Sequence, residues 1–99
     1  MRVSIAMTTF NGEKYLGNQL DSILNQSIKP DELIICDDSS SDKTLQILED
    51  FKNKAEFSVK IYRNEKNLGF RKNFEKAIGL CKEDLIFIAD QDDFWFPNK

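Results

Sequence analysis

The chain has 99 residues, 40% of them hydrophobic and 31% charged, with a formal net charge of −3. This is the composition of one ordinary globular domain, and its interspersed charges offer neither a basic patch for nucleic acid nor a basic amphipathic face for a membrane surface. There is no histidine, so imidazole catalysis and His-ligated metals are excluded and any acid–base or metal chemistry falls to carboxylates.

No apolar run is long enough to span a bilayer, and the start from Met1 to Met7 enters a strand-like segment with no signal-peptide pattern. Cys36 and Cys81 lie in apolar contexts and read as buried thiols, in keeping with a reducing cytoplasm. In chain order, Val3 to Thr8 reads as a first strand, with Val3, Ile5 and Met7 on one face. Asn11-Gly12 breaks it, Asn11 being a good helix N-cap. From Glu13 to Gln26, Leu16, Leu20, Ile23 and Leu24 follow helical spacing, and Pro30 closes the unit. Leu33 to Cys36 is a second, buried strand running into Asp37-Asp38. The polar loop Ser39 to Asp42 then opens a helix bearing Leu45, Leu48 and Phe51 on one side.

Phe57, Val59 and Ile61 alternate with Ser58, Lys60 and Tyr62, the pattern of a half-exposed edge strand. After a polar loop and Leu68-Gly69, the spacing predicts a helix from about Phe70 to Lys82. Phe70, Phe74, Ala77, Ile78 and Cys81 share its core stripe. Leu85 to Ala89 is an unbroken apolar strand that ends in Asp90-Gln91-Asp92-Asp93. The order βαβαβαβ predicts an α/β fold with an open, mostly parallel, Rossmann-like sheet and helices on both faces. The aromatic run Phe94-Trp95-Phe96 at the end reads as the mark of an incomplete polypeptide, or of residues covered by another chain. Left uncovered, such a patch favours self-association.

Ligands of open α/β sheets bind outside the carboxyl ends of the strands. Three such ends here are polar: Thr8-Thr9, Asp37-Asp38, and Asp90 to Asp93. No glycine-rich phosphate loop follows the first strand, so neither a dinucleotide fingerprint nor a Walker A loop is present. Three carboxylates within four residues repel one another and call for a cation. A plain polar turn is the alternative, and the convergence of three strand ends favours the metal. An EF-hand fails because Trp95 stands where glycine is needed. A receiver domain fails because its acidic pair would follow the first strand, which here ends in threonines.

Read together, Thr8 to Leu16, Glu32 to Thr44 and Asp90 to Pro97 resemble the family 2 glycosyltransferases. The spacing of Asn67-Leu68-Gly69, Asn73-Phe74-Glu75 and Asp90-Gln91-Asp92-Asp93 is most similar to the rhamnosyltransferase-like branch. The resemblance implies the GT-A fold, with strand order 3-2-1-4, and a nucleotide-diphosphate sugar donor, UDP- or dTDP-linked. It implies inverting transfer to a saccharide or lipid-linked saccharide acceptor in bacterial surface polysaccharide synthesis. The location it implies is cytoplasmic, at the inner face of the membrane in the parent enzyme. By position, Asp38 matches the residue that accepts the N3–H of uracil or thymine, although an N-cap or turn role is its plainer alternative. Thr8 and Phe10 match the nucleoside pocket, Phe10 standing where relatives often carry Tyr. Asp90 and Asp92 match the Asp-x-Asp motif, expected to meet the ribose and to hold Mg or Mn on the diphosphate, with Asp93 holding the loop. Arg71 departs from the family pattern and is either a phosphate contact or a solvated helix residue. Trp95 and Phe96 are expected to pack against the other half of the domain rather than against a sugar. The family's general base lies beyond Asp-x-Asp. Residues 1–99 are therefore expected to be the donor-binding half of the domain, inactive alone. A non-catalytic nucleotide-binding module is the competing expectation.

Overall fold

The computed structural model describes residues 2–25, 30–82 and 85–89. The elements run β1 (Val3–Thr9), α1 (Leu16–Leu24), β2 (Glu32–Asp37), α2 (Thr44–Lys54), β3 (Ser58–Arg63), α3 (Phe70–Leu80) and β4 (Leu85–Ala89). The four strands form one sheet in the order β3-β2-β1-β4, and every pair is parallel. Ser4 pairs with Glu32 and Thr9 with Asp37 on one side of β1, while Val3 to Met7 pair with Leu85 to Ala89 on the other. From β1 the chain winds outward through β2 to β3. It then returns by α3 to place β4 on the far side of β1, so the winding reverses at β1. Such a reversal opens a crevice at the carboxyl ends of the strands.

The period-2 alternation of β1 and β2 distributes side chains between two cores. Ile5, Met7, Leu33 and Ile35 pack with Leu16, Leu20 and Ile23 of α1, and with Leu48 and Phe51 of α2. On the opposite face Ala6 and Cys36 meet Ala77 of α3, with Tyr62, Ile78, Leu80 and Cys81 around them. All six residues of β2 are buried, as expected of a strand covered on both faces. β3 ends the sheet among the described residues, and its first and last residues are exposed. Both cysteines are free, and burial pushes the Cys36 thiol up to about 11, which makes it an inert packing residue. No helix is long and apolar enough to cross a membrane among the described residues.

Two expectations are corrected. The first helix begins at Leu16 rather than Glu13. Asn11 does not cap it: Asn11 has φ 47° and turns its carboxamide to accept the Ser41 N–H at 2.8 Å. The turn ahead of α1 is closed instead by the Gly12 carbonyl, which accepts from the Tyr15 and Leu16 N–H groups. Phe70, assigned to the core stripe of α3, is 64% exposed, because the buried positions of that helix are Asn73 and Ala77. Phe70 stacks edge-on with the half-buried Phe74 at 4.8 Å between centroids. Gln19, buried on α1, has no hydrogen-bond partner for its amide atoms among the described residues.

Ala77 is wholly buried against Ala6 and Cys36, whereas nothing lies within 4 Å of a methyl group built on Gly79. Ala77→Leu is therefore expected to cost ~1–3 kcal/mol by overpacking. Gly79→Ala, in the same helix, is expected to stabilise by ~0.5–1 kcal/mol. Urea-unfolding curves of the two variants should move in opposite directions.

Candidate functional site

The carboxyl ends of β1 and β2 are tied together by side chains as well as by the ladder. Asp37, with no exposed surface, accepts from the Thr9 hydroxyl at 2.7 Å and from the Ser40 hydroxyl and N–H at 2.6 and 2.9 Å. Asp38, one residue beyond the paired Thr9–Asp37 position, donates its own N–H to the Thr9 carbonyl at 2.8 Å. The loop after this pair is held by Ser40, whose hydroxyl accepts the Asn11 N–H. It is held again by Thr44, whose hydroxyl accepts the Gly12 N–H. Asp42 accepts the Thr44 N–H and hydroxyl, serving the first turn of α2. The turn into α2 is thus closed by Asp42, while Lys43 at the N-cap makes no side-chain capping bond, and Asp38 takes no part in it.

The Asp38 carboxylate is 4% exposed and meets the loop between β3 and α3. Its Oδ1 accepts the Leu68 N–H at 2.6 Å and the Asn64 amide at 2.9 Å, and its Oδ2 accepts the Gly69 N–H at 3.0 Å. Gly69 has φ 87°, a conformation that glycine adopts without a Cβ penalty and that turns its N–H toward the carboxylate. Burial pushes the Asp38 carboxyl up. The Leu68, Asn64 and Gly69 donors and the nearby Lys76 charge outweigh that and hold it below the ordinary 3.8. Asp38 is thus a buried acceptor-only group at neutral pH.

Of the other residues singled out from the sequence, Thr8 is 5% exposed near the end of β1, paired with Cys36. Phe10 follows the strand end and is 46% exposed, level with Asp38. Arg71 points to solvent, 92% exposed and 3.5 Å from Glu75 on the same helix, and is not among the groups that contact Asp38. Asp90, Asp92, Asp93, Trp95 and Phe96 lie outside the described residues. Among the described residues no group of three or more acidic or cysteine side chains could hold a metal ion. Asn64 and Lys76 escaped the sequence reading, and Asn73 entered it only through the family-like spacing, with no role assigned. Asn73 donates to the Cys36 carbonyl at 2.8 Å and accepts from Asn64 at 2.8 Å, while the Lys76 ammonium donates to Asn64 at 2.6 Å. The available signal was an asparagine at a helical core position, since a buried amide needs partners.

Residues 4–99 match the profile of Glycosyl transferase family 2. The chain belongs to that family. Among curated relatives of this family 2 chain, the "Putative glycosyltransferase EpsE" of Bacillus subtilis (strain 168) is 34% identical over 98 residues, covering 99% of this chain and 35% of that protein. The "dTDP-rhamnosyl transferase RfbG" of Shigella flexneri is 36% identical over 97 residues, covering 94% and 34%. The crystal structure of S. aureus TarS 1–349 in complex with UDP superposes with a TM-score of 0.88 at 31% identity, over 99% of this chain and 29% of that one. The Pyrobaculum calidifontis mannosyltransferase PcManGT, in complex with GDP-Man and Mn2+, has a TM-score of 0.85 at 20% identity and shares the fold. The chain spans about a third or less of the length of these relatives. The Rossmann-like α/β architecture expected from the sequence is the one these glycosyltransferase structures have.

Asp38, Asp42 and Glu32 are all held below the ordinary carboxylate range by hydrogen bonds that outweigh burial. Carboxyls depressed in the folded state contribute stability that is complete above their unfolded values. That stability is lost as the pH falls through the folded ones. The urea-unfolding free energy is therefore expected to be flat from about pH 7 to 5 and to drop below about pH 4. Asp38→Asn should lower it at neutral pH by ~1–3 kcal/mol and make the acid limb shallower.

Proposed function

We propose that this chain is the donor-nucleotide part of an inverting glycosyltransferase that moves a sugar from a uridine or deoxythymidine diphosphate donor to a saccharide acceptor in bacterial surface polysaccharide synthesis. The observation that carries the reading is the buried Asp38 carboxylate at the crevice where the strand winding reverses. Three N–H donors hold it ionised, and Thr8 and the exposed ring of Phe10 stand at the neighbouring strand end. An acceptor-only group takes a ring N–H, as uracil and thymine present at N3, and leaves the bare N3 acceptor of cytosine unpaired at a cost of ~1–3 kcal/mol. Phe10 would stack on the base and Thr8 would line the pocket. The UDP complex of TarS and the dTDP-rhamnosyl transferase among the relatives support these donors.

β4 supports the second element of the reading. Its last residue, Ala89, pairs with Met7, so the strand ends at the same sheet edge as Thr8 and Asp38, and Asp90-Gln91-Asp92-Asp93 follows in sequence. An all-carboxylate donor set fits a hard divalent cation, Mg or Mn, and Asp92 and Asp90 are the residues that would hold it. When bound, such a cation offsets the charge of the diphosphate leaving group. Arg71, on the first turn of α3, would have to leave Glu75 to reach a phosphate. The acceptor pocket and the general base that activates the acceptor hydroxyl belong, in this reading, to sequence beyond the Asp-x-Asp motif. Residues 1–99 alone would then bind donor nucleotide without transferring sugar.

Calorimetric titration of the full-length polypeptide with UDP and dTDP, with and without Mn, tests the reading. Binding of one or both is expected to strengthen with Mn. Asp38→Asn is expected to weaken it about 10-fold or more, and Asp90→Asn and Asp92→Asn to remove the Mn dependence. Folded protein that binds neither nucleotide, or binds equally well without the Asp38 carboxylate, would refute it.

A further inference from the structure

The hydrogen-bond pattern behind Asp38 admits one orientation for each member. The Lys76 ammonium can only donate, so it fixes the Asn64 Oδ1 as its acceptor. The Asn64 Nδ2 must then face outward, and it donates both to Asp38 Oδ1 at 2.9 Å and to Asn73 Oδ1 at 2.8 Å. Asn73 completes the chain by donating to the Cys36 carbonyl of β2. Asn64 and Asn73 are 4% and 1% exposed, so neither amide has a ready exchange with water. Asn64 is also held through its backbone, its N–H donating to the Asp37 carbonyl at 2.9 Å.

The consequence falls on the two Asp38 oxygens unequally. A carboxylate offers about four acceptor positions, two on each oxygen. Oδ1 receives two donors, the Leu68 N–H and the Asn64 amide, and is full. Among the described residues Oδ2 receives only the Gly69 N–H, which leaves it one position. Guanine presents two adjacent donors, the ring N1–H and the exocyclic amino group, and pairs with a carboxylate through both oxygens at once. Uracil and thymine present a single N–H between two carbonyls and need one.

We propose that Asn64 and Lys76 are positioning residues that fill one oxygen of Asp38, so that the nucleobase meets a single acceptor, and that they thereby select a uracil or thymine nucleotide against a guanine nucleotide. The inference rests on the reading of Asp38 as the base-binding residue. Lys76 acts at one remove: it fixes the Asn64 amide, and the Asn64 amide occupies Asp38.

The test is calorimetric titration of the full-length polypeptide with UDP and with GDP in Mn-containing buffer, with thermal melts reporting folding. The wild type is expected to bind GDP at least about 10-fold more weakly than UDP, the effect of an unpaired donor. Asn64→Ser should weaken UDP about 10-fold and narrow the UDP-to-GDP ratio several-fold, because Oδ1 regains an acceptor position. Lys76→Met should narrow the ratio in the same direction by a smaller factor. If Asn64→Ser does not fold, the half-buried Lys76→Met decides alone. A merely structural loss would weaken both nucleotides equally and keep their ratio. An unchanged ratio in folded variants, with UDP binding still dependent on Asp38, overturns the positioning role and leaves the functional reading standing. UDP binding that is absent, or indifferent to Asp38→Asn, overturns both.

Discussion

Two consecutive carboxylates leave the end of a wholly buried strand, and the surrounding structure is shaped by what it takes to keep them there. An ionised carboxylate without partners in such a place would cost several kcal/mol. Asp37 meets that cost with the Thr9 and Ser40 hydroxyls and a backbone N–H, which draws the β1 end and the following loop onto β2. Asp38 meets it with two backbone N–H groups and an asparagine amide from the far side, which draws the loop after β3 over the same edge. The last residue of one strand and the residue after it thus pin opposite flanks of the crevice. The left-handed backbone at Gly69 and the buried amides of Asn64 and Asn73 follow from the second of these demands.

The two faces of the sheet contribute differently to this edge. The α1–α2 face is a large aliphatic core, built from Ile, Leu, Met and Phe, and it anchors the strands. Among the described residues, the buried apolar side chains of the α3 face are the small ones of Ala6, Cys36 and Ala77. Small side chains let α3 approach β2 closely enough for Asn73 to reach the Cys36 carbonyl. Polar reach into the site thus takes the place of apolar bulk on this side, and Phe70 stands exposed.

Much of this was legible from residue order. The runs Leu33 to Cys36 and Leu85 to Ala89 read as strands because covered parallel strands are continuously apolar, and the helical stripe of α2 followed the rule for amphipathic helices. The family resemblance rested on short stretches at strand ends, where chemistry constrains residue type. What escaped was non-local. The late start of α1 depends on Asn11 finding partners in a loop thirty residues later. Phe70 was assigned to the core by apolar character, whereas the register of α3 was decided by Asn73, a polar residue whose partners lie on β2 and directly after β3. Periodicity counts apolar residues and is blind to a buried amide.

The polar pairs along β1 and β2 also bear on how the chain finds its native pairing. Ser4 donates to Glu32 near one end of the strands, where Glu32 also accepts the Lys82 N–H, and Thr9 donates to Asp37 at the other. Both pairs join residues 28 apart and directly opposite in the ladder. The residues between them, Ile5 to Met7 against Leu33 to Ile35, are apolar and make no side-chain hydrogen bonds; the flanking pairs do. A one-residue shift exchanges the two faces of a strand and strands both acids in the interior at once. They act as a vernier at the two ends of a featureless scale, so that the strands can be aligned in only one way, and that alignment is the one that brings Asp38 to the mouth of the crevice.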